Sequence, residues 1–70
     1  MSIGTRIKEE RQRQGITQLD LGLSCNLPGS AISHFERGRR VPTIHNLKRI
    51  AKALNVSLDS LCEMGGRDNG

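Results

Sequence analysis

The sequence predicts an all-α fold, a compact cluster of five short helices, and three observations carry that prediction. Apolar residues recur at i, i+3 and i+4 spacing, with no stretch of strict alternation. Hydroxyl residues that can cap a helix stand ahead of several of these stripes: Ser2, Thr17, Thr43 and Ser57. Residues suited to left-handed or rigid backbone (Gly15, Asn26, Gly38 and Asn55, with Pro28 and Pro42) punctuate the intervals between them.

In chain order, Ser2 caps a first helix whose stripe runs Ile3, Ile7 and stops at Gly15. Thr17 followed by Asp20 has the pattern of a capping box and opens a second helix, which Asn26 turns. Pro28, which needs no amide partner in a first turn, starts a third helix that ends at Gly38. Pro42 and Thr43 start a fourth, with Ile44, Leu47, Ile50, Ala51 and Leu54 on one face and Asn55 as its stop. Ser57 caps a last short helix carrying Leu58 and Leu61. The domain is expected over residues 1–64, and the polar, Gly-rich residues 65–70 as a frayed tail.

Seventy residues make one domain, with about 3–5 kcal/mol of net stability from its core. A large catalytic cleft does not fit this length, and the single aromatic, Phe35, does not line a small-ligand pocket. The net charge of +4 is unevenly spread. Residues 1–36 balance to zero, whereas residues 37–58 hold Arg37, Arg39, Arg40, Lys48, Arg49 and Lys52 with no acid. Such a stretch is a footprint for a phosphate backbone or, equally, a solvated basic face. Cys25 and Cys62 lack paired spacing, no secretory signal precedes the domain and no apolar run is long enough for a membrane span. A reduced, cytoplasmic protein is the expectation, with no membrane partner.

The segment from Gln18 to Arg37 is the most informative. Leu21, Cys25, Leu27, Ile32 and Phe35 are its apolar positions, and Gly22 is small where two helices would cross. On the third helix this leaves Gly29, Ser30, Ser33, His34 and Arg37 free to face outward. Two helices and a turn can be an ordinary αα-hairpin, but a helix with one buried face and short polar groups opposite also suits the major groove of B-DNA.

These residues resemble the phage Cro/repressor type of helix-turn-helix domain, the XRE family. The matching residues are Arg11, Gly15, Thr17-Gln18, Leu21-Gly22, Ile32-Ser33, Phe35-Glu36-Arg37-Gly38, Pro42-Thr43, Leu47, Ile50-Ala51-Lys52-Ala53-Leu54 and Val56-Ser57-Leu58-Asp59-Ser60-Leu61. The match covers residues 3–61. The resemblance implies a five-helix, lambda-repressor-like fold and a regulator of transcription that binds double-stranded DNA as a homodimer on a palindromic operator. The chain departs from the pattern at Gly22, where Ala is usual, at Asn26 and Asn55, where Gly is usual, at Pro28, where a hydroxyl is common, and at Gly29, where many relatives carry a long base-reading side chain.

By the same resemblance, Gly29, Ser30, Ser33 and His34 match positions facing base edges. Gln18 is implied to reach a phosphate at the start of the second helix, with Thr17 beside it. Arg37, Arg39 and Arg40 follow the recognition helix in a loop that runs along the backbone, and Thr43 and Asn46 can add a second clamp. Arg11 continues the stripe of Ile3 and Ile7, and Glu36 lies four residues after Ile32. Both therefore point inward, where charges persist only if paired, and in the family these positions form an ion pair. His34, His45, Cys25 and Cys62 stand 9, 11 and 17 residues apart, without the close ligand pairs of a structural zinc site. No metal, cofactor or small-molecule ligand is expected. Ser33 and His34 are helix neighbours pointing about 100° apart, so they form no catalytic dyad, and no enzyme is expected. Leu58, Cys62 and Met64 crowd the last helix and are the expected dimer contacts. The rival reading is a protein-interaction module on the same fold.

Overall fold

Four of the five helices begin at a hydroxyl. In the computed structural model, which describes residues 2–67 and the side chains of residues 2–62, the helices are α1 (Ile3–Arg13), α2 (Gln18–Cys25), α3 (Gly29–Glu36), α4 (Ile44–Leu54) and α5 (Leu58–Arg67). Ser2 Oγ accepts from the Thr5 amide at 3.2 Å, Thr43 Oγ1 from Asn46 at 3.1 Å and Ser57 Oγ from Ser60 at 3.0 Å. At α2 the capping box is closed both ways, with Thr17 Oγ1 accepting from the Asp20 amide and the Asp20 carboxylate accepting from the Thr17 amide. Each arrangement satisfies a backbone donor that a helix start would otherwise leave open. Asn26 and Asn55 close α2 and α4 at φ of 62° and 59°, left-handed values that Asn tolerates better than most residues.

Pro28 differs from its expected place. It is the residue before α3, in extended conformation, and the helix begins at Gly29 with no side-chain cap. The first amides of α3 are thus left to water or a ligand. At the other end of the chain, α5 continues to Arg67, three residues into the segment expected to fray. Residues 68–70 lie outside the described residues.

The core is shared by all five helices: Ile7, Leu21, Ile32, Ile50, Leu54 and Leu61 are fully buried, with Cys25, Phe35, Leu47 and Ala51 beside them. Ile44, expected on the apolar face of α4, is 60% exposed. It is the first residue of that helix, ahead of the buried run that starts at Leu47. Among the described residues there is no strand, and no helix is long and apolar enough to cross a membrane.

Two glycines are fixed by close backbone approach. A Cβ on Gly4 would lie 2.0 Å from the carbonyl oxygen of Phe35, so α1 rests directly on the end of α3. A Cβ on Gly22 would lie 2.5 Å from the carbonyl oxygen of Leu27, which accounts for glycine where the family usually carries alanine. Gly29 is different, since its missing Cβ would find Leu19 at an ordinary 3.5 Å. Gly4→Ala is therefore expected to cost about 1–3 kcal/mol through overpacking, whereas Gly29→Ala is neutral or gains up to about 1 kcal/mol in helix propensity. Urea melts of the two variants distinguish these outcomes. Equal midpoints would contradict the close approach of α1 to α3.

Candidate nucleic-acid interface

The orientation of α3 is set at its C-terminal end by a charged network. Arg11, from α1, donates through Nε to Glu36 Oε2 at 2.7 Å and through Nη2 to Oε1 at 3.1 Å, a two-pronged contact. Its remaining nitrogen, Nη1, donates to the carbonyl of Ile16 at 2.8 Å. Gln18, the first residue of α2, donates through Nε2 to Glu36 Oε1 at 3.0 Å. The two charged side chains are 12% and 3% exposed. At that burial an unpaired charge would be untenable, and here both oxygens of the carboxylate are engaged, Oε2 by Arg11 and Oε1 by Arg11 and Gln18. Three helices and the turn between α1 and α2 are thereby joined at one carboxylate.

The outer side of α3 carries the residues singled out by sequence. Ser30 and His34 are exposed and Ser33 is half-buried, while Ile32 and Phe35 are buried on the opposite side. Gly29 is half-buried, and a side chain there would point at the first turn of α2. It can offer a groove only its backbone. Beyond α3, Gly38 turns the chain at φ 79°, and the amides of Arg39 and Arg40 donate back to the His34 carbonyl at 2.9 and 3.3 Å. This folds the basic loop against the end of the helix, with Arg37, Arg39 and Arg40 exposed.

Ser30, His34, Arg40 and Asn46 share one concavity, floored by Leu27, Pro28, Ala31 and Phe35. Two residues expected at base edges are thus brought together with two expected at phosphates. Thr43 is exposed at the N-terminus of α4, and its hydroxyl, which accepts from Asn46, keeps its own hydrogen to donate. Thr17 stands apart. Its amide and hydroxyl are both engaged by Asp20, whose carboxylate adds a negative charge beside it. Gln18 has one amide hydrogen committed to Glu36 and a second to spare.

Leu58 and Cys62 are half-buried against the core of their own chain, and the Met64 side chain lies outside the described residues. Cys25 donates to the Leu21 carbonyl, and burial pushes its thiol above the ordinary range, which keeps it protonated and unreactive. Among the described residues no cluster of His, Cys, Asp or Glu is arranged to hold a metal ion.

Sequence reasoning missed several polar anchors. Glu10 is buried, accepts from Arg13 and forms an ion pair with Arg6 at 3.4 Å. Gln14 donates to the Leu54 carbonyl at 2.6 Å, and Arg6 to the Ser60 carbonyl at 3.3 Å. The signal was present, because Ile3, Ile7, Glu10 and Gln14 follow helical spacing along one face of α1.

A helix-turn-helix family model matches residues 7–61. The HTH-type transcriptional regulator ImmR of Bacillus subtilis is 38% identical over 61 residues, covering 87% of this chain and 48% of the relative. The P22 c2 repressor protein, solved in complex with a synthetic operator, superposes with a TM-score of 0.82 at 36% identity, over 87% of this chain and 92% of that one. SinR, a master regulator for biofilm formation solved in complex with DNA, gives 0.80 at 32% identity, over 84% and 95%. The chain spans about half the length of the curated relatives it matches.

Removing the shared carboxylate tests the network. Glu36→Ala strands the Arg11 guanidinium and is expected to cost about 3–5 kcal/mol, comparable to the stability of a domain this size. Circular dichroism should find the variant largely unfolded at room temperature. A melting point within a few degrees of the parent would mean the pair is solvated.

Proposed function

The chain belongs to the helix-turn-helix family of the XRE type, and on that premise we propose that it binds double-stranded DNA sequence-specifically as a transcriptional regulator. The observation that carries the proposal is the grouping of Ser30, His34, Arg40 and Asn46 around one concavity beside α3. Short polar groups on an exposed helix can read base edges, while the arginines and helix starts around them meet phosphates. In this reading Ser30, Ser33 and His34 contact bases through side chains and Gly29 through its backbone. Gln18, Arg37, Arg39, Arg40, Thr43 and Asn46 contact the sugar-phosphate backbone, with Thr17 a lesser member beside Asp20. The protein acts by binding rather than catalysis, in the cytoplasm.

One recognition helix touches only about four or five base pairs, too few to select a site within a genome. Two copies on a palindromic operator, with half-sites about 10 base pairs apart, supply the missing discrimination. The proposed contacts of that homodimer are Leu58, Cys62 and Met64 on α5. Sedimentation of the parent protein and Met64→Asp, free and with DNA, is expected to show a dimer that the variant loses; a variant that dimerises normally would move the interface elsewhere.

Selection from a random duplex pool tests the reading as a whole, and a pool that yields no enriched sequence would overturn it. Two variants divide the site by role. Arg39→Ala should weaken binding to all duplexes alike and lower the slope of log K against log salt by about 0.9; an unchanged slope would remove Arg39 from the phosphate contacts. His34→Gln should change the selected base at one position of each half-site. A uniform loss of affinity with the preferred sequence intact would assign His34 to the backbone instead.

A further inference from the structure

A second hollow, of about 420 Å3, opens between the C-terminal end of α2 and the C-terminal half of α4. Cys25 and Ala53 supply its apolar part, Ser24 and Asn26 line one wall, and Arg49 and Lys52 stand along the other. We propose that this hollow is a docking site for an acidic, amphipathic helical segment of a partner protein.

All ion pairs formed among the described residues lie in α1 or between Arg11 and Glu36. Among the described residues Arg49 and Lys52 form no ion pair, and their own stretch, residues 37–58, contains no acid. The two cations stand at i and i+3 on α4, neighbours roughly 5–6 Å apart at Cβ. Two carboxylates one turn apart on a partner helix match that spacing. The apolar floor would take a small aliphatic side chain placed between those carboxylates, as in other helix-in-groove contacts. Phosphate backbones have no use for such a floor, and single-stranded nucleic acid would want exposed aromatics, whereas the only aromatic, Phe35, is buried.

The N-terminal ends of α2 and α4 flank α3, with Leu19 against Gly29 and Asn46 beside Ser30 and His34. The hollow lies at the other ends of the same two helices. Lys52 is roughly 13 Å along α4 from Thr43, so a duplex on α3 leaves the hollow open. The site needs no nucleic acid and stands whether or not α3 reads DNA.

The test uses a fluorescein-labelled 14-residue peptide of Glu, Ala and Leu, with Leu at i, i+3 and i+7, followed by anisotropy at 0.15 M salt. Saturable binding is expected, at least tenfold weaker to the Arg49→Gln/Lys52→Gln double variant. It should change less than twofold for His34→Gln or when a saturating duplex is added. Duplex affinity of the double variant should stay within threefold of the parent. Absence of saturable binding overturns the proposal. So does competition by the duplex, which would place the peptide on α3 as a phosphate mimic. A tenfold loss of duplex affinity in the double variant would assign the face to nucleic acid instead.

Discussion

A guanidinium and a carboxylate that left water together hold this fold in register. Desolvating either ion alone costs several kcal/mol, more than a domain of this size can offset. Arg11 and Glu36 meet in a paired geometry, and the remaining hydrogen-bonding capacity goes to the Ile16 carbonyl and the Gln18 amide. The contact is directional where the surrounding apolar core is not. Burial of Ile7, Leu21 and Ile32 carries no directional requirement, whereas the carboxylate requires the end of α1, the start of α2 and the end of α3 to meet at one point. That arrangement sets which side of α3 faces out.

The outward side then follows from elementary constraints. Eight residues give α3 little more than two turns, so burying Ile32 and Phe35 commits Ser30 and His34 to solvent. Pro28 provides no cap, so the first amides of α3 stay open beside the concavity. The return of the Arg39 and Arg40 amides to the His34 carbonyl brings cationic side chains to the far end of the same surface. Short polar groups flanked by positive charge on a rigid helix are suited to a groove, not to enclosing a small molecule.

Much of this was legible in the sequence, wherever the cause was local. The caps at Ser2, Thr17 and Thr43, the box with Asp20, and the left-handed turns at Asn26 and Asn55 are each determined within a few residues. The inward direction of Arg11 and Glu36 was legible because a charge interrupts an apolar stripe. What escaped depended on which elements meet. Gln18 faces a carboxylate 18 residues away, and Gln14 a carbonyl 40 residues away, and neither partner is marked by spacing. The need for glycine at position 22 comes from a carbonyl approaching across the turn. Ile44 read as core because periodicity reports the face of a helix but not how far along it the core extends.

Amide spectra of the 15N-labelled protein, titrated with a duplex carrying its selected site, test the central claim most directly. The account predicts that the largest shifts fall on Gln18 and Leu19, on residues 29–34 and on residues 43–46, with Lys8, Glu9 and Asp59 unmoved. Shifts centred on the outer face of α1 or on α5, with residues 29–34 unchanged, would contradict it.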